Sequence, residues 1–448
     1  MAGYLGIDAE MAGVTHLIGI GGVGMSALAQ ALLDRGFAVS GADRQITSPG
    51  MPPPTPVLRE LAAQGVALFP DDGSGVTADT ERIIVSTAIE DTNPGLVKAK
   101  KAGIPVVHRA AALADALAGR KLVAVAGTCG KSTVTAILGH VLAVCGFDPV
   151  VVNGAQIVGW DYGGLRVGSV RKGLGLGKYA VAEVDESDKS LVAFKPYAAI
   201  VTNASADHYS KEEMDAVFDA FVKDVPGPVV DGRRERIVPS QAACGVTMPG
   251  KHNAVNAECA LRMAVMLGAD PSLAAKALAS FPGVERRMQR VGSFQCGERE
   301  VAVFDDYAHN PEKLHAMWTT FAEAYPDGVA VLWRPHGYGP LRKMMDALAE
   351  MFRRVMRPQD ALLLLPVYDA GGTADRSVNS DALAALLADA PGKVDVVPDL
   401  EAAEAVLRAR AGAFGAIVTA GARDPGLPVL ARRLAGKECR KGIINDEH

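Results

Sequence analysis

Short, almost wholly apolar runs recur along the chain, each followed by a polar turn and a stretch with helical apolar spacing. Such runs suit strands buried on both faces, and helices between them suit a parallel sheet. In the first third, strands are predicted just before Gly19 and at residues 37–41, 66–69, 82–86 and 106–107. Helices are predicted at 27–33, 58–64, 94–102 and 110–118. In the middle, the run 122–126 enters a glycine turn and a helix over 134–144 leaves it. Strands at 179–182 and 198–201 and a helix at 257–267 follow. The last third reads as strands at 301–305, 329–333, 361–366, 394–397 and 416–419 with helices between. An α/β fold in three domains is expected, over residues 1–118, 119–283 and 284–448.

Composition narrows the function classes. The chain has 448 residues, 49% of them hydrophobic, enough for more than one core. The 46 basic and 51 acidic residues leave a net charge of −5, which argues against a general nucleic-acid or anionic-membrane surface. Aromatic residues make up 5%, too few for single-strand stacking platforms. The 6 cysteines form no Cys-x-x-Cys pair and suit a reducing compartment. No basic stretch leads into an apolar core at the N-terminus, so a cytoplasmic protein without membrane insertion is expected, monomer or homodimer being open.

Three turns carry chemistry. Gly19-Ile20-Gly21-Gly22-Val23-Gly24-Met25-Ser26 is a G-x-G-x-x-G turn between strand and helix, with Asp43 about twenty residues on. It presents N–H groups to a diphosphate, which makes the first domain Rossmann-like. Both a dinucleotide and a nucleotide sugar fit that pattern. Gly127-Thr128-Cys129-Gly130-Lys131-Ser132-Thr133 reads as a phosphate loop, although Val125 stands where the general pattern has glycine. Lys131 would reach the terminal phosphates and Ser132 would hold Mg²⁺, giving the central domain a P-loop ATPase character. Glu183 ends a buried strand and suits a metal, as does His208 after the next strand. A solvated acidic turn and a structural histidine remain the plain alternatives. The glycine-rich patch 154–177 reads equally as a loop over the site or a surface hairpin. His252 and Asn256, four apart, could face a base together, or Asn253 could merely cap the helix. Ser86, and three polar strand ends in the last third, mark further ligand edges.

In this order, the motifs resemble the Mur ligases, ATP-dependent amide-forming enzymes of peptidoglycan synthesis, and within them the alanine-adding members. The resemblance runs from His16 to about Ala420. It also takes in Glu183 to Asp188, Gly250-Lys251-His252-Asn253, Arg286-Arg287 and Asp305-Asp306-Tyr307-Ala308-His309. It implies a UDP-binding domain, a central ATPase domain and a Rossmann-like C-terminal domain that binds an amino acid. The substrates implied are ATP, UDP-N-acetylmuramate and an amino acid, with Mg²⁺. By resemblance, Lys131, Glu183 and His208 are catalytic, with Ser132, Glu183 and His208 on magnesium. Gly127, Thr128, Gly130, Thr133, His252, Asn256, Arg287, Asp306 and His309 would hold ATP. Gly19, Gly21, Gly22, Gly24, Met25, Ser26, Asp43 and Ser86 would hold the UDP-sugar.

Two departures stand out. The stretch between His208 and Pro249 is shorter than in the family. Where the family has Pro-His-Arg-Tyr-Thr-Arg-x-Arg, this chain has Pro335-His336-Gly337-Tyr338-Gly339-Pro340-Leu341-Arg342. Neither Gly337 nor Pro340 can grip a carboxylate as arginine does. His336 and Arg342 would remain as acceptor contacts, with Arg376 supplying the missing charge. Rival readings are a ligase with another acceptor, a dehydrogenase and a nucleotide-binding regulator.

Overall fold

The computed structural model of the chain describes residues 13–48, 50–185, 191, 194–204, 211–369 and 375–436. Its first sheet contains β1 (Val14–Ile18), β2 (Val39–Asp43), β3 (Ala67–Pro70), β4 (Thr80–Val85) and β5 (Val106–His108). All its pairs are parallel, in the order β3-β2-β1-β4-β5. The order reverses between β1 and β4, which opens a crevice at their carboxyl ends.

The second sheet contains β6 (Lys121–Ala126), β7 (Val150–Val152), β8 (Val170–Arg171), β9 (Tyr179–Glu183), β10 (Ala198–Val201) and β11 (Val229–Asp231). Its order is β11-β10-β6-β9-β7-β8, and only β7 and β8 pair antiparallel. The third contains β12 (Gln289–Cys296), β13 (Arg299–Asp306), β14 (Val329–Trp333), β15 (Ala361–Leu364), β16 (Lys393–Val396) and β17 (Ala416–Ala420). Its order is β12-β13-β17-β14-β15-β16, parallel except for β12 with β13.

The chain forms two compact units. One comprises Met1–Thr247 and His252–Val284 and holds the first two sheets; the other comprises Met248–Lys251 and Glu285–His448 and holds the third. The central strands are apolar because both of their faces are buried. In β6, Val123, Ala124, Val125 and Ala126 have 0% exposure. Each buried valine contributes about 1.5–3 kcal/mol, so an apolar run specifies a central strand strongly. Helix ends follow local chemistry. The helix Pro94–Ala102 opens with proline after Asn93, whose side chain accepts from the Leu96 N–H, and stops at Gly103 in the left-handed region.

Four strands were outside the sequence expectation. β7, β8 and β11 are only two or three residues long. β12 lies at a sheet edge with mostly half-buried residues. The glycine-rich patch includes the connection of the antiparallel pair β7–β8, a hairpin whose Tyr162 and Leu165 are exposed. Arg166 forks onto Asp34 at 2.9 and 2.5 Å, and the Val167 N–H donates to Gln30. The patch thus fastens the second sheet to the first-domain helix Val23–Asp34.

Candidate active site

The first glycine loop leaves β1 with Gly19 in the left-handed region, at φ 75°. The Asp43 carboxylate accepts from the Gly21 N–H at 2.8 Å and from the Gln45 N–H at 3.0 Å. It is buried and braces the loop from beneath. Met25 and Ser26 are also buried, and the Ser26 hydroxyl donates to the Val23 carbonyl. Their side chains pack against the protein, leaving the loop's backbone N–H groups at the surface of the turn. Gly22, the residue before the helix, carries no side-chain cap, which keeps the first N–H groups available to an anion. Ser86 follows β4, the strand beside β1, and is half-buried.

Sequence reasoning missed Arg109, which opens the helix after β5. A Cβ added at Gly24 would lie 2.6 Å from its guanidinium, so Arg109 covers the glycine loop. It also approaches Asp185, beyond β9, at 3.8 Å. A lone arginine after a short strand carries no sequence pattern, and only the fold brings it to the loop.

The phosphate loop leaves β6. Val125 is still inside the strand, paired with Ile200 and Glu183, so no glycine is required there. Gly127, at φ 126°, has no room for a side chain: its Cβ would fall 2.1 Å from the Thr202 hydroxyl. Gly130 begins the helix Lys131–Val144 in the left-handed region. Thr202 and Asn203, at the end of β10, clamp the loop. The Asn203 carbonyl oxygen accepts from the Thr128 hydroxyl at 2.7 Å and the Cys129 N–H at 3.0 Å. Its amide and the Thr202 hydroxyl both donate to the Cys129 carbonyl. Lys131 folds back to donate to the Gly127 carbonyl at 2.6 Å. Ser132 and Thr133 lie in the first turn of that helix and are buried.

Glu183 ends β9, the strand next to β6. One of its oxygens accepts from the Gly154 N–H at 2.8 Å. The Ser132 hydroxyl, in the first turn of the helix after β6, and the Glu183 carboxylate, at the end of the neighbouring strand, are hard oxygen donors of the kind that suit Mg²⁺. His208 lies outside the described residues. Among the described residues no group of three acidic, histidine or cysteine side chains stands assembled for a metal. The helix Lys251–Met266 starts early enough that Asn253 is in its first turn, not its cap. Asn256 sits against the phosphate loop, since a Cβ at Gly130 would meet it at 2.5 Å. His252 is exposed one turn earlier.

In the other unit, the expected nucleotide residues divide. The buried Asp306 carboxylate accepts from the Met288 and Ala308 N–H groups at 2.6 and 2.7 Å. Burial pushes its pKa up. Next to it, burial pushes Asp305 up to about 6, against the pull of Arg286 at 3.0 Å. The half-buried Arg287 lies over the Tyr307 ring. His309 shares a hydrogen bond with the Tyr307 carbonyl through Nδ1 and packs edge-on against His336, ring centres 4.9 Å apart. Desolvation holds His309 down at about 4, so it is a neutral ring at pH 7 with Nδ1–H donating. Arg342 pairs with Asp375 at 2.7 Å, and Arg376 with Asp369 at 2.8 Å, both exposed. The charge expected from Arg376 is thus already engaged.

Residues 14–121 match the Mur ligase family, catalytic domain, and residues 286–423 match the Mur ligase, glutamate ligase domain. A UDP-N-acetylmuramate–L-alanine ligase of Rubrobacter xylanophilus is 34% identical, over 93% of this chain and 99% of its own. Another, of Kineococcus radiotolerans, is 35% identical over 92% and 94%. The fold matches that of the UDP-N-acetylmuramate–alanine ligase of Thermotoga maritima, with a TM-score of 0.74 at 23% identity, over 95% of this chain and 99% of that one. With two glycine loops on neighbouring sheets and relatives matched along nearly its whole length, the chain belongs to the Mur ligase family.

Proposed function

We propose that this protein is a cytoplasmic ATP-dependent ligase of peptidoglycan synthesis that joins L-alanine to the carboxylate of UDP-N-acetylmuramate. The observation that carries the reading is the pairing, in one compact unit, of two glycine loops that each present a helix N-terminus at a strand's carboxyl end. One suits a UDP diphosphate and the other an ATP polyphosphate.

Amide formation requires the carboxylate to gain a leaving group. The γ-phosphoryl group passes from ATP to a carboxylate oxygen, giving an acyl phosphate and ADP. The amine then attacks the carbonyl carbon, and phosphate leaves with its oxygen. Lys131, released from the Gly127 carbonyl, neutralises the transferring group, while the Thr202–Asn203 clamp keeps the loop N–H groups aimed. Ser132 and Glu183 would hold Mg²⁺, which would supply neutralising positive charge to the polyphosphate. Arg109 would meet the UDP-sugar at its glycine loop.

The test is phosphate release from ATP and Mg²⁺ with UDP-N-acetylmuramate and a panel of amino acids and peptides. Turnover that needs both the sugar nucleotide and L-alanine is expected. Turnover only with another amino acid or a peptide would replace the acceptor, and none with any acceptor would overturn the reading.

A further inference from the structure

The carboxyl edge of the third sheet is rich in arginine, yet most of it is engaged. Arg286 pairs with Asp305, Arg334 with Asp424, Arg342 with Asp375 and Arg376 with Asp369. Arg423 follows β17 and is exposed, and among the described residues it has no ion pair. Its guanidinium lies 4.0 Å from the point where a Cβ on Gly337 would stand. That point adjoins the start of the helix Tyr338–Val355, whose preceding residue provides no side-chain cap. An α-helix leaves its first N–H groups without intrahelical partners and carries partial positive charge there. His336 is adjacent, and its pKa is lowered by desolvation and then by Arg423 and Lys313. A cation, an uncapped helix start and a neutral imidazole thus meet at one corner, where open parallel sheets bind ligands.

We propose that Arg423 binds the carboxylate of the acceptor amino acid, reaching from the end of β17 into the space left by Gly337 after β14. This rests on the ligase reading above. The corner selects an oxyanion, either a carboxylate or a phosphate. The polyphosphate already has a dedicated loop at Gly127–Lys131, which leaves the acceptor's carboxylate for Arg423. The sequence reading sought the missing charge in Arg376, but that side chain is held by Asp369. Arg423 lies far along the chain from Gly337, and only the pairing of β14 with β17 brings them together.

The experiment is steady-state kinetics of Arg423→Ala on the full chain, with acceptor and ATP varied separately. Losing a charge-assisted hydrogen bond to a carboxylate predicts a rise of about 10- to 100-fold in acceptor KM, with ATP KM within about twofold. Gly337 is in extended backbone, at φ 162°, that any residue adopts. Gly337→Arg in the Arg423→Ala background is therefore expected to recover much of the acceptor affinity. A rise in ATP KM alone would assign the corner to phosphate, and an unmoved acceptor KM would overturn the proposal. Wild-type enzyme with no acceptor-dependent phosphate release would instead overturn the ligase reading itself. An unchanged melting temperature separates these outcomes from misfolding.

Discussion

The glycine loops of the first two sheets and the carboxyl edge of the third prepare for ligands in opposite ways. Each loop offers backbone N–H groups and is stiffened from behind by polar side chains, Asp43 under the first and Thr202 with Asn203 beside the second. The third edge offers side chains, and most of its charges are spent on one another. Backbone donors in a tight turn require glycine, and glycine in a fixed pattern is readable. Side-chain donors can come from any strand end and leave no fixed spacing. Recognition of phosphate is therefore the most legible chemistry here, and recognition of the acceptor the least.

Four expectations put that contrast under strain. The largest effect belongs to the phosphate loop: Lys131→Ala should lower turnover by about 10³, read as phosphate release. Full activity would remove the loop from the reaction. Next, Asp306→Ala should destabilise the unit containing the third sheet by about 2–4 kcal/mol, because two buried N–H groups lose their acceptor. A melting temperature unchanged from wild type, with weakened ATP binding, would return Asp306 to a ligand role.

A pH dependence follows from His16, under the first glycine loop. Burial lowers its pKa from 6.5 to about 4. Because the folded value is the lower one, the unfolded chain takes up the proton first as pH falls. The stability from neutral His16 is full above pH 6.5 and is lost down through about 4, up to about 3 kcal/mol. Asp305 runs the other way: its raised pKa gives stability that is present below pH 3.8 and lost as pH rises through about 6. Melting curves of wild type and His16→Gln between these limits should differ in slope, and parallel curves would contradict the assignment. The smallest effect is that of Arg376→Ala. The exposed Arg376–Asp369 pair should matter little, and the acceptor KM should change by less than about twofold. A large rise would shift the carboxylate site from Arg423 back to Arg376.

Much of the fold was legible, for a physical reason visible in particular strands. β10 and β14 begin and end where the apolar runs do, because a strand buried on both faces tolerates little else. The edge strand β12 was not legible, since a half-exposed strand has no such constraint. Within the site, Gly127, Gly130 and Lys131 announced themselves through spacing. Asn203 belonged to a recognised segment, but its grip on the loop was invisible because it arrives from 74 residues away. Met25, Ser26, Asp43 and Asp306 stand in motifs the sequence shows, and their side chains are buried. Position in a motif does not determine side-chain direction.

By itself the sequence determined the three successions of strand and helix, the two glycine loops and the family, because these depend on local periodicity and on glycine's unique backbone freedom. The tertiary structure decided which polar groups were already satisfied. Asp43 and Asp306 brace backbone, Arg342 and Arg376 neutralise neighbouring carboxylates, and Arg423 stands beside Gly337. A charge that a neighbour has taken must give up that partner before it meets a ligand, and neighbours are set by how the strands pair.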